Sequence, residues 1–255
     1  MELNTILMES TFRLEGRGSQ GTAFVLGRRY PKEPTKARYV VVTASHVLKE
    51  IQGESATIVL RHKTTTGKWE RLPLTVKIRD KDRPLWTTHP NADVAVMYIP
   101  IPSGVIKDLL PTTLLADDNV LAEFEVHPGD ELNCLGYPFG AEGNEAGFPI
   151  LRSGKIASYP LLPTKDTRTF LFDFRVFGGN SGGPVYFVQS GRTYKGALHA
   201  STIQFIIGLV SQEVLVTQRI TELYGKREQN YPLGLAEVVH ASLIREAVEL
   251  LPSPE

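Results

Sequence analysis

Alternating apolar and polar residues mark several segments of the chain as β-strands. Every second residue is apolar at 72–78 and again at 170–176, which is the period of a half-buried strand. Residues 39–42 are continuously apolar and predict a fully buried strand. The pattern is that of an all-β protein.

One hairpin and two helices complete the predicted elements. Residues 185–188 and 194–198 flank a polar stretch at 189–192, which predicts a hairpin that turns there. A short helix is expected at 47–51. A longer helix is expected from about Leu235 to Leu251. Helical spacing there gives one apolar stripe, formed by Val239, Leu243, Ala247 and Leu250.

The prolines and leucines of residues 99–119 separate two strand-rich halves. We interpret this stretch as the connection between two β-barrels. The expected organisation is a first barrel over 1–110, a second over 111–234 and a C-terminal helix over 235–255. The helix is expected to pack on the barrels, chiefly on the second.

Composition narrows the class of protein. The 255 residues include 28 basic and 28 acidic side chains, so the formal net charge is zero. No block of like charge suggests a nucleic-acid or anionic-membrane surface. Cys134 is the single cysteine, which excludes an intrachain disulfide. The N-terminus shows no signal-peptide pattern, and no apolar run approaches the roughly 20 residues that span a bilayer. We therefore expect a cytoplasmic protein.

The segment GGNSGGP at 178–184 is the strongest candidate for chemistry. Glycine loses more backbone freedom on folding than any other residue, so such a cluster is costly without a function. A loop that presents bare N–H groups beside a nucleophilic serine, Ser181, requires this geometry. The alternative is an ordinary glycine-rich turn.

Two upstream residues supply the partners that a nucleophilic serine needs. His46 follows the buried strand in Thr-Ala-Ser-His, and Asp93 precedes the apolar run Val-Ala-Val. A serine hydroxyl becomes nucleophilic when a base takes its proton and a carboxylate holds that base in one tautomer. His46 is the candidate base and Asp93 the candidate carboxylate; a structural histidine and an unrelated aspartate are the alternatives.

The order His, Asp, Ser with these surroundings resembles the trypsin-like (chymotrypsin-fold) serine peptidases. The likeness covers most of the chain, because residues 21–26, 128–138 and 153–156 are also similar to strands of these enzymes. It implies two antiparallel six-stranded β-barrels with the site in the cleft between them. It also implies a catalytic triad of His46, Asp93 and Ser181, with the backbone N–H groups of Gly179 and Ser181 as the oxyanion hole.

Residues 128–132 and 136–138 are similar to the opening of the second barrel in bacterial HtrA-type and glutamyl-endopeptidase-like members, and the resemblance gives Asn180 as the residue that is usual in the bacterial branches. Asn180 stands where animal trypsins carry the aspartate that pairs with a new N-terminus after zymogen cleavage. The resemblance therefore implies activity without that ion pair. We expect no PDZ module after the C-terminal helix, which would be a departure from HtrA proteins.

The sequence says less about which substrate residue the P1 pocket prefers than about the catalytic residues. In this fold the floor of the P1 pocket comes from about six residues before the serine, which is Arg175. An arginine there would repel a basic P1 side chain, unless it pairs with Asp173. His199 lies near the position of a pocket histidine in glutamate-specific relatives, although an ordinary strand residue is the alternative. We expect only that P1 is not Lys or Arg.

No cofactor or metal is expected. The segment GRGSQG at 16–21 matches G-x-G-x-x-G, but a strand follows it where a dinucleotide site needs a helix. The other histidines and Cys134 show no metal-ligand spacing.

The sequence thus favours a serine endopeptidase that acts on proteins or peptides through an acyl-enzyme on Ser181. One alternative is a peptidase fold that binds peptides by strand addition without cutting them. Another is a latent protease that a protein partner activates, with residues 205–231 as a regulatory insertion.

Overall fold

The computed structural model describes residues 2–33, 35–222 and 225–254, and the side chains among these outside 220–227. About 50% of the residues lie in strands and 14% in helices, so the expected all-β class is confirmed. The strands are β1 Thr11–Arg17, β2 Ser19–Arg29, β3 Ala37–Thr43, β4 Gln52–Lys63, β5 Trp69–Lys77, β6 Arg79–Asp80, β7 Arg83–Pro84, β8 Thr87–Thr88, β9 Ala95–Tyr98, β10 Glu131–Gly136, β11 Ile150–Ile156, β12 Thr169–Asp173, β13 Pro184–Tyr194, β14 Ala197–Glu222 and β15 Gly225–His240. The α-helices are α1 Leu3–Ser10, α2 Ser45–Glu50, α3 Asp118–Glu123 and α4 Ala241–Glu249.

The N-terminal half is a sheet of seven antiparallel strands in the order β5-β4-β1-β2-β3-β9-β8. Its strand count differs from the six that were expected, because β8 adds a two-residue strand beside β9. The continuously apolar residues 40–42 of β3 are buried because they pair on both sides, with β2 and with β9. This half holds α2 at the end of β3.

The C-terminal half is a closed barrel of six strands in the order β10-β11-β12-β15-β14-β13. Alternation along β12 places Phe170 and Phe172 inside, where they join a separate apolar core with Phe187 and Phe205. Leu115 contacts Ile206 through an isolated bridge, so the chain enters this half within the stretch that the sequence marked as the connection.

The C-terminal helix is shorter than predicted and begins at Ala241. Residues 235–239 are instead strand, because they pair with β12 on one side and with β14 on the other. Two rows of backbone hydrogen bonds outweigh the helical spacing of apolar residues there. The buried face of α4, including Leu243, Ile244 and Ala247, joins an apolar core to which both halves contribute, and α4 contacts β14 and β15 of the barrel as well as β9.

The predicted hairpin exists, but its turn lies further along the chain. β13 and β14 are joined at Lys195 and Gly196, which both have positive φ, of 50° and 73°. Gly191 marks an irregularity in the ladder, where the pairing shifts between Ser190 and Arg192. A glycine within a polar stretch therefore marked a β-bulge and not a turn.

The GRGSQG segment and the suggested insertion both lie in strand hairpins. The GRGSQG segment lies in the β1–β2 hairpin and opens no helix. No helix within the described ranges has the length and apolar character needed to cross a membrane. The suggested insertion at 205–231 is part of the long β14–β15 ladder, and its residues 223–224 lie outside the described residues.

His240 joins β15 to α4 and is buried without a polar partner. Its side chain is 1% exposed, its ring lies 4.9 Å from that of Phe170, and neither ring nitrogen has a hydrogen-bond partner within the described residues. Burial lowers the pKa of His240 from 6.5 to about 4. The folded protein therefore holds this imidazole neutral.

We expect His240 to make the protein less stable in mild acid. Below pH 6.5 the unfolded chain binds a proton at this residue that the folded state does not bind until about pH 4. The contribution of His240 to the free energy of unfolding is therefore lost as pH falls from 6.5 to about 4, by about 3 kcal/mol at most. Urea unfolding of His240→Phe should show a smaller loss between about pH 7 and pH 4.5 than wild type. The half-exposed His62 provides the control variant His62→Phe, and an equal loss in all three proteins would contradict the assignment.

Candidate functional site

Two glycines let the helix that carries His46 approach the loop that carries Ser181. Gly21 lies between Val47 of α2 and the carbonyl of Ser181, and a Cβ there would lie 2.8 Å from Val47. Gly182, with φ of +86°, lies against Thr22, Thr43 and Ala44 with no space for a side chain. Thr22 N also donates to Ser181 O at 2.8 Å. The strands of the N-terminal half therefore hold the serine loop directly beside the start of α2.

His46 and Asp93 form a hydrogen-bonded pair. His46 Nδ1 lies 2.7 Å from Asp93 Oδ2, and the His46 backbone N–H donates to Asp93 Oδ1 at 2.9 Å. The hydrogen bond to Asp93 raises the pKa of His46 above 6.5, although burial acts in the opposite direction. Both carboxylate oxygens thus orient the histidine, and His46 Nε2 makes no hydrogen bond within the described residues.

Ser211 is a third member of this group that the sequence analysis did not identify. Its hydroxyl donates to Asp93 Oδ2 at 2.7 Å, and Ser211 is itself buried within β14. Burial raises the pKa of Asp93, but the hydrogen bonds from His46 and Ser211 outweigh it and lower the pKa to about 2. The carboxylate is therefore ionised across the physiological range. The available signal was a serine directly after the mainly apolar run 205–210, which does not by itself identify Asp93 as its partner.

The serine loop presents free backbone donors. Gly179 has φ of +99° and packs against the carbonyl of Tyr137 so closely that a side chain cannot fit. Its carbonyl accepts from Thr22 Oγ1 at 2.7 Å, and the Gly178 carbonyl accepts from Phe139 N at 2.6 Å. Within the described residues, the N–H groups of Gly179 and Ser181 donate to no other group. Both carbonyls are thus held by neighbours while two donors beside the serine stay available.

The buried Arg61 holds Tyr137, the residue against which the serine loop packs. Arg61 on β4 is 1% exposed and donates to the Tyr137 hydroxyl at 2.9 Å and to Gly147 O at 2.7 Å. Its guanidinium lies between the rings of Phe12 and Phe148, 4.6 and 4.5 Å from their centroids. Arg61 thereby fixes Tyr137, whose carbonyl contacts Gly179, to the N-terminal half.

No hydrogen bond joins Ser181 Oγ to His46 among the described residues. Such bonds are often long in the absence of substrate and tighten in the complex. A cleft of about 460 Å³ opens next to the histidine, and its lining includes His46, Asp93, Ser211, Gln212, Glu237 and Arg168. Within the described part of the chain, no three His, Cys, Asp or Glu side chains are grouped to hold a metal ion.

The two candidate pocket residues lie in different places. Arg175 follows β12, is exposed, and has its guanidinium 5.3 Å from the ring of Phe177, close to the serine loop. It makes no ion pair with Asp173 in the described residues. His199 pairs in register with Arg192 and stacks on Tyr194 with 3.8 Å between ring centroids.

The structure does not bring His199 to the serine. Arg192 is eight residues along β13 from Pro184, a separation of roughly 26 Å in an extended strand. His199 therefore belongs to the far end of the β13–β14 hairpin.

Comparison with solved structures finds similar folds at low sequence identity. An inactive serine-to-alanine mutant of Rv3671c from M. tuberculosis is 16% identical with a TM-score of 0.47, over 98% of this chain and 92% of that chain. The protease Anisep from Arthrobacter nicotinovorans is 14% identical with a TM-score of 0.48, over 95% and 96%. The thermostable serine protease AL20 from an extremophilic microorganism is 12% identical with a TM-score of 0.43, over 93% of both chains.

Comparison with curated proteins finds no match. The sequence does match the family described as "Trypsin-like peptidase domain" over residues 21–193. That range includes His46, Asp93 and Ser181 and more than half of the chain. The chain therefore belongs to the trypsin-like peptidase domain family.

Proposed function

We propose that this protein is a serine endopeptidase. The observation that carries the proposal is the His46–Asp93 pair, in which both carboxylate oxygens hold the histidine, next to a serine loop with two free N–H donors. Asn180, buried in that loop, supports a placement in the bacterial HtrA and glutamyl-endopeptidase-like branch. Proteins or peptides are the proposed substrates.

The reaction divides into acylation and deacylation. Ser181 Oγ attacks the substrate carbonyl carbon and gives its proton to His46 Nε2. The resulting oxyanion accepts hydrogen bonds from the N–H groups of Gly179 and Ser181. The C–N bond then breaks as His46 returns the proton to the leaving amine, and an acyl-enzyme remains on Ser181. Water attacks that ester, again with His46 as base, and releases the acid and Ser181.

Asp93 and Ser211 act through the histidine. Asp93 accepts the hydrogen bond of the Nδ1–H group, so Nε2 is the nitrogen that is free to act as the base for Ser181. Ser211 satisfies the remaining side of the same carboxylate oxygen and helps to keep it ionised. The carboxylate stabilises the imidazolium that forms in each half-reaction.

A fluorophosphonate probe tests the proposal directly. We expect it to label the wild type at Ser181 and to leave Ser181→Ala unlabelled, because phosphonylation needs an activated serine. The labelling rate should rise with pH through a pKa above 6.5 and then level, since neutral His46 is the base and Asp93 raises its pKa. Mass spectrometry of the labelled peptide and a pH series measure both. A wild type that takes up no label at any pH contradicts the proposal.

The second candidate function is a latent protease, or a protease-fold module that only binds peptides or protein partners. In this candidate a partner protein switches the activity. The observation that favours it is the missing hydrogen bond between Ser181 Oγ and His46 among the described residues. This candidate predicts slow labelling that accelerates when a partner protein is added. Constant labelling with and without cell extract argues for constitutive activity.

A further inference from the structure

His89 lies in the turn that carries Asp93. Strands β8 and β9 pair directly before and after this turn. The His89 backbone N–H donates to Val94 O at 3.0 Å, and the Val94 N–H donates to Ala92 O at 2.8 Å. Residues 89–94, which we call the Asp93 turn, are thus a short closed connection. The position of the Asp93 carboxylate depends on the conformation of this turn.

The buried imidazole of His89 makes two side-chain hydrogen bonds. His89 is 5% exposed, its Nδ1 accepts from the Asn91 N–H at 3.2 Å, and its Nε2 lies 3.0 Å from Oε2 of Glu246. A ring nitrogen that accepts an N–H carries no proton, so the neutral ring has its proton on Nε2 and donates it to Glu246. Both nitrogens of His89 therefore have a partner in a single tautomer.

These two bonds join the Asp93 turn to the C-terminal helix. The bond to Asn91 lies within the turn, two residues before Asp93, whereas the bond to Glu246 spans 157 residues of sequence. Glu246 belongs to α4, and the apolar face of α4 is buried in the core. His89 thus ties the Asp93 turn to a helix that packing already holds in place.

Asp93 has to be placed accurately, because three groups bind its two oxygens. Oδ1 accepts from the His46 backbone N–H at 2.9 Å, and Oδ2 lies 2.7 Å from both His46 Nδ1 and Ser211 Oγ. Hydrogen bonds weaken steeply when distance and angle depart from such values. A misplacement of about 1 Å can lower a rate by about 100-fold. Groups that fix the Asp93 turn therefore affect His46.

We infer that His89 is a positioning residue for the Asp93 carboxylate, and that it acts by tying the Asp93 turn to Glu246 of the C-terminal helix. The inference rests on the proposed function for its effect on turnover, but the ionisation of His46 tests it without turnover. It makes α4 part of the support of the His46–Asp93 pair.

An NMR titration of His46, with His46→Gln to identify its signal, tests this role. The hydrogen bond to Asp93 raises the pKa of His46 above 6.5 in the wild type. His89→Phe removes both side-chain bonds, so the pKa of His46 should fall towards 6.5 or below it. His89→Asn keeps an acceptor near the Nδ1 position and His89→Gln keeps a donor near the Nε2 position, so each should show a smaller fall. A role in packing alone predicts the reverse order, because Phe replaces the ring best.

Turnover provides a second readout of the same variants. His89→Phe should lower kcat by roughly 10- to 100-fold with little change in KM, because Asp93 acts on the chemical step. In the Asp93→Asn background, His89→Phe should cause almost no further loss of kcat, because residues that act through one group are not additive. A general structural defect would lower kcat again in the double variant and would contradict the inference.

Glu246 offers a variant that leaves the buried ring in place. Its side chain is 56% exposed, so Glu246→Ala should fold even if His89→Phe does not. We expect Glu246→Ala to lower the pKa of His46 and to reduce kcat by about 3- to 10-fold, the range for one hydrogen bond to a charged group. Glu249→Ala is the matched control, because Glu249 is an exposed glutamate on the same helix, and it should behave as wild type.

The two readouts separate the inference from the proposed function. An unchanged pKa of His46 in folded His89→Phe and in Glu246→Ala would overturn the inference, and normal peptide cleavage would leave the peptidase proposal intact. The expected order of His46 pKa values in a protein that cleaves no peptide would support the inference and contradict only the proposed function.

Discussion

Replacing Ser181 by alanine is expected to lower peptide turnover by roughly 10⁶-fold. The variant lacks the atom that forms the acyl-enzyme, and His46 has no hydroxyl to deprotonate. The N–H donors of Gly179 and Ser181 are backbone groups and remain, so roughly 10³- to 10⁴-fold acceleration over water should persist. Steady-state hydrolysis of a casein or peptide substrate measures the loss.

A neighbouring serine provides the matched control. Ser45 precedes His46, is 1% exposed, and has its hydroxyl 3.5 Å from that of Thr88. Ser45→Ala removes one buried hydroxyl without touching the serine loop, so its turnover should stay near the wild-type value. Comparable activity in Ser181→Ala and Ser45→Ala would show that Ser181 is not the nucleophile.

Replacing Asp93 by asparagine is expected to lower kcat by about 10⁴-fold, with little change in the fold. Asp93 accepts from the Nδ1 and backbone N–H of His46 and from the Ser211 hydroxyl. An asparagine amide can accept at only one of its two positions, so with its oxygen on the His46 backbone N–H its NH₂ faces Nδ1. The imidazole then takes the tautomer with the proton on Nε2, where it cannot act as the base for Ser181. Kinetics at several substrate concentrations separate this fall in kcat from any change in KM.

The exposed Asp82 gives the control for Asp93. Asp82→Asn removes one carboxylate from the same half of the protein without contact to His46. Asp82→Asn should retain the wild-type kcat. Thermal melting should show that Asp82→Asn and Asp93→Asn both fold. Full activity in Asp93→Asn would mean that another group orients the histidine.

Much of the candidate site was predictable because its signals are local. The glycines around Ser181, the buried strand before His46 and the apolar run after Asp93 each lie within a few residues of the side chain that they position. Alternation likewise predicted β12 and β5, since one face of each strand meets the core. The resemblance to trypsin-like peptidases implied His46 and Asp93 as partners, and His46 Nδ1 lies 2.7 Å from Asp93 Oδ2.

Contacts between distant segments could not be predicted in the same way. Ser211 lies 118 residues from Asp93 in sequence, and Arg61 lies 76 residues from Tyr137. The sequence around Ser211 or Arg61 does not indicate which distant residue it contacts, because each contact depends on how the two halves pack. His199 shows the converse, since its neighbours suggested a pocket residue and the ladder of β13 and β14 places it far from the serine.

The sequence by itself determined the all-β class, the family-like order of His46, Asp93 and Ser181, and the exclusion of an intrachain disulfide within these 255 residues. Only the tertiary structure decided that residues 235–239 are strand, that α4 packs on strands of both halves, and that Ser211 donates to Asp93. The physical reason is the range of the interaction. Patterning and backbone preference act over a few residues, whereas ladder pairing, burial and side-chain hydrogen bonds are set by segments that meet only when the chain folds.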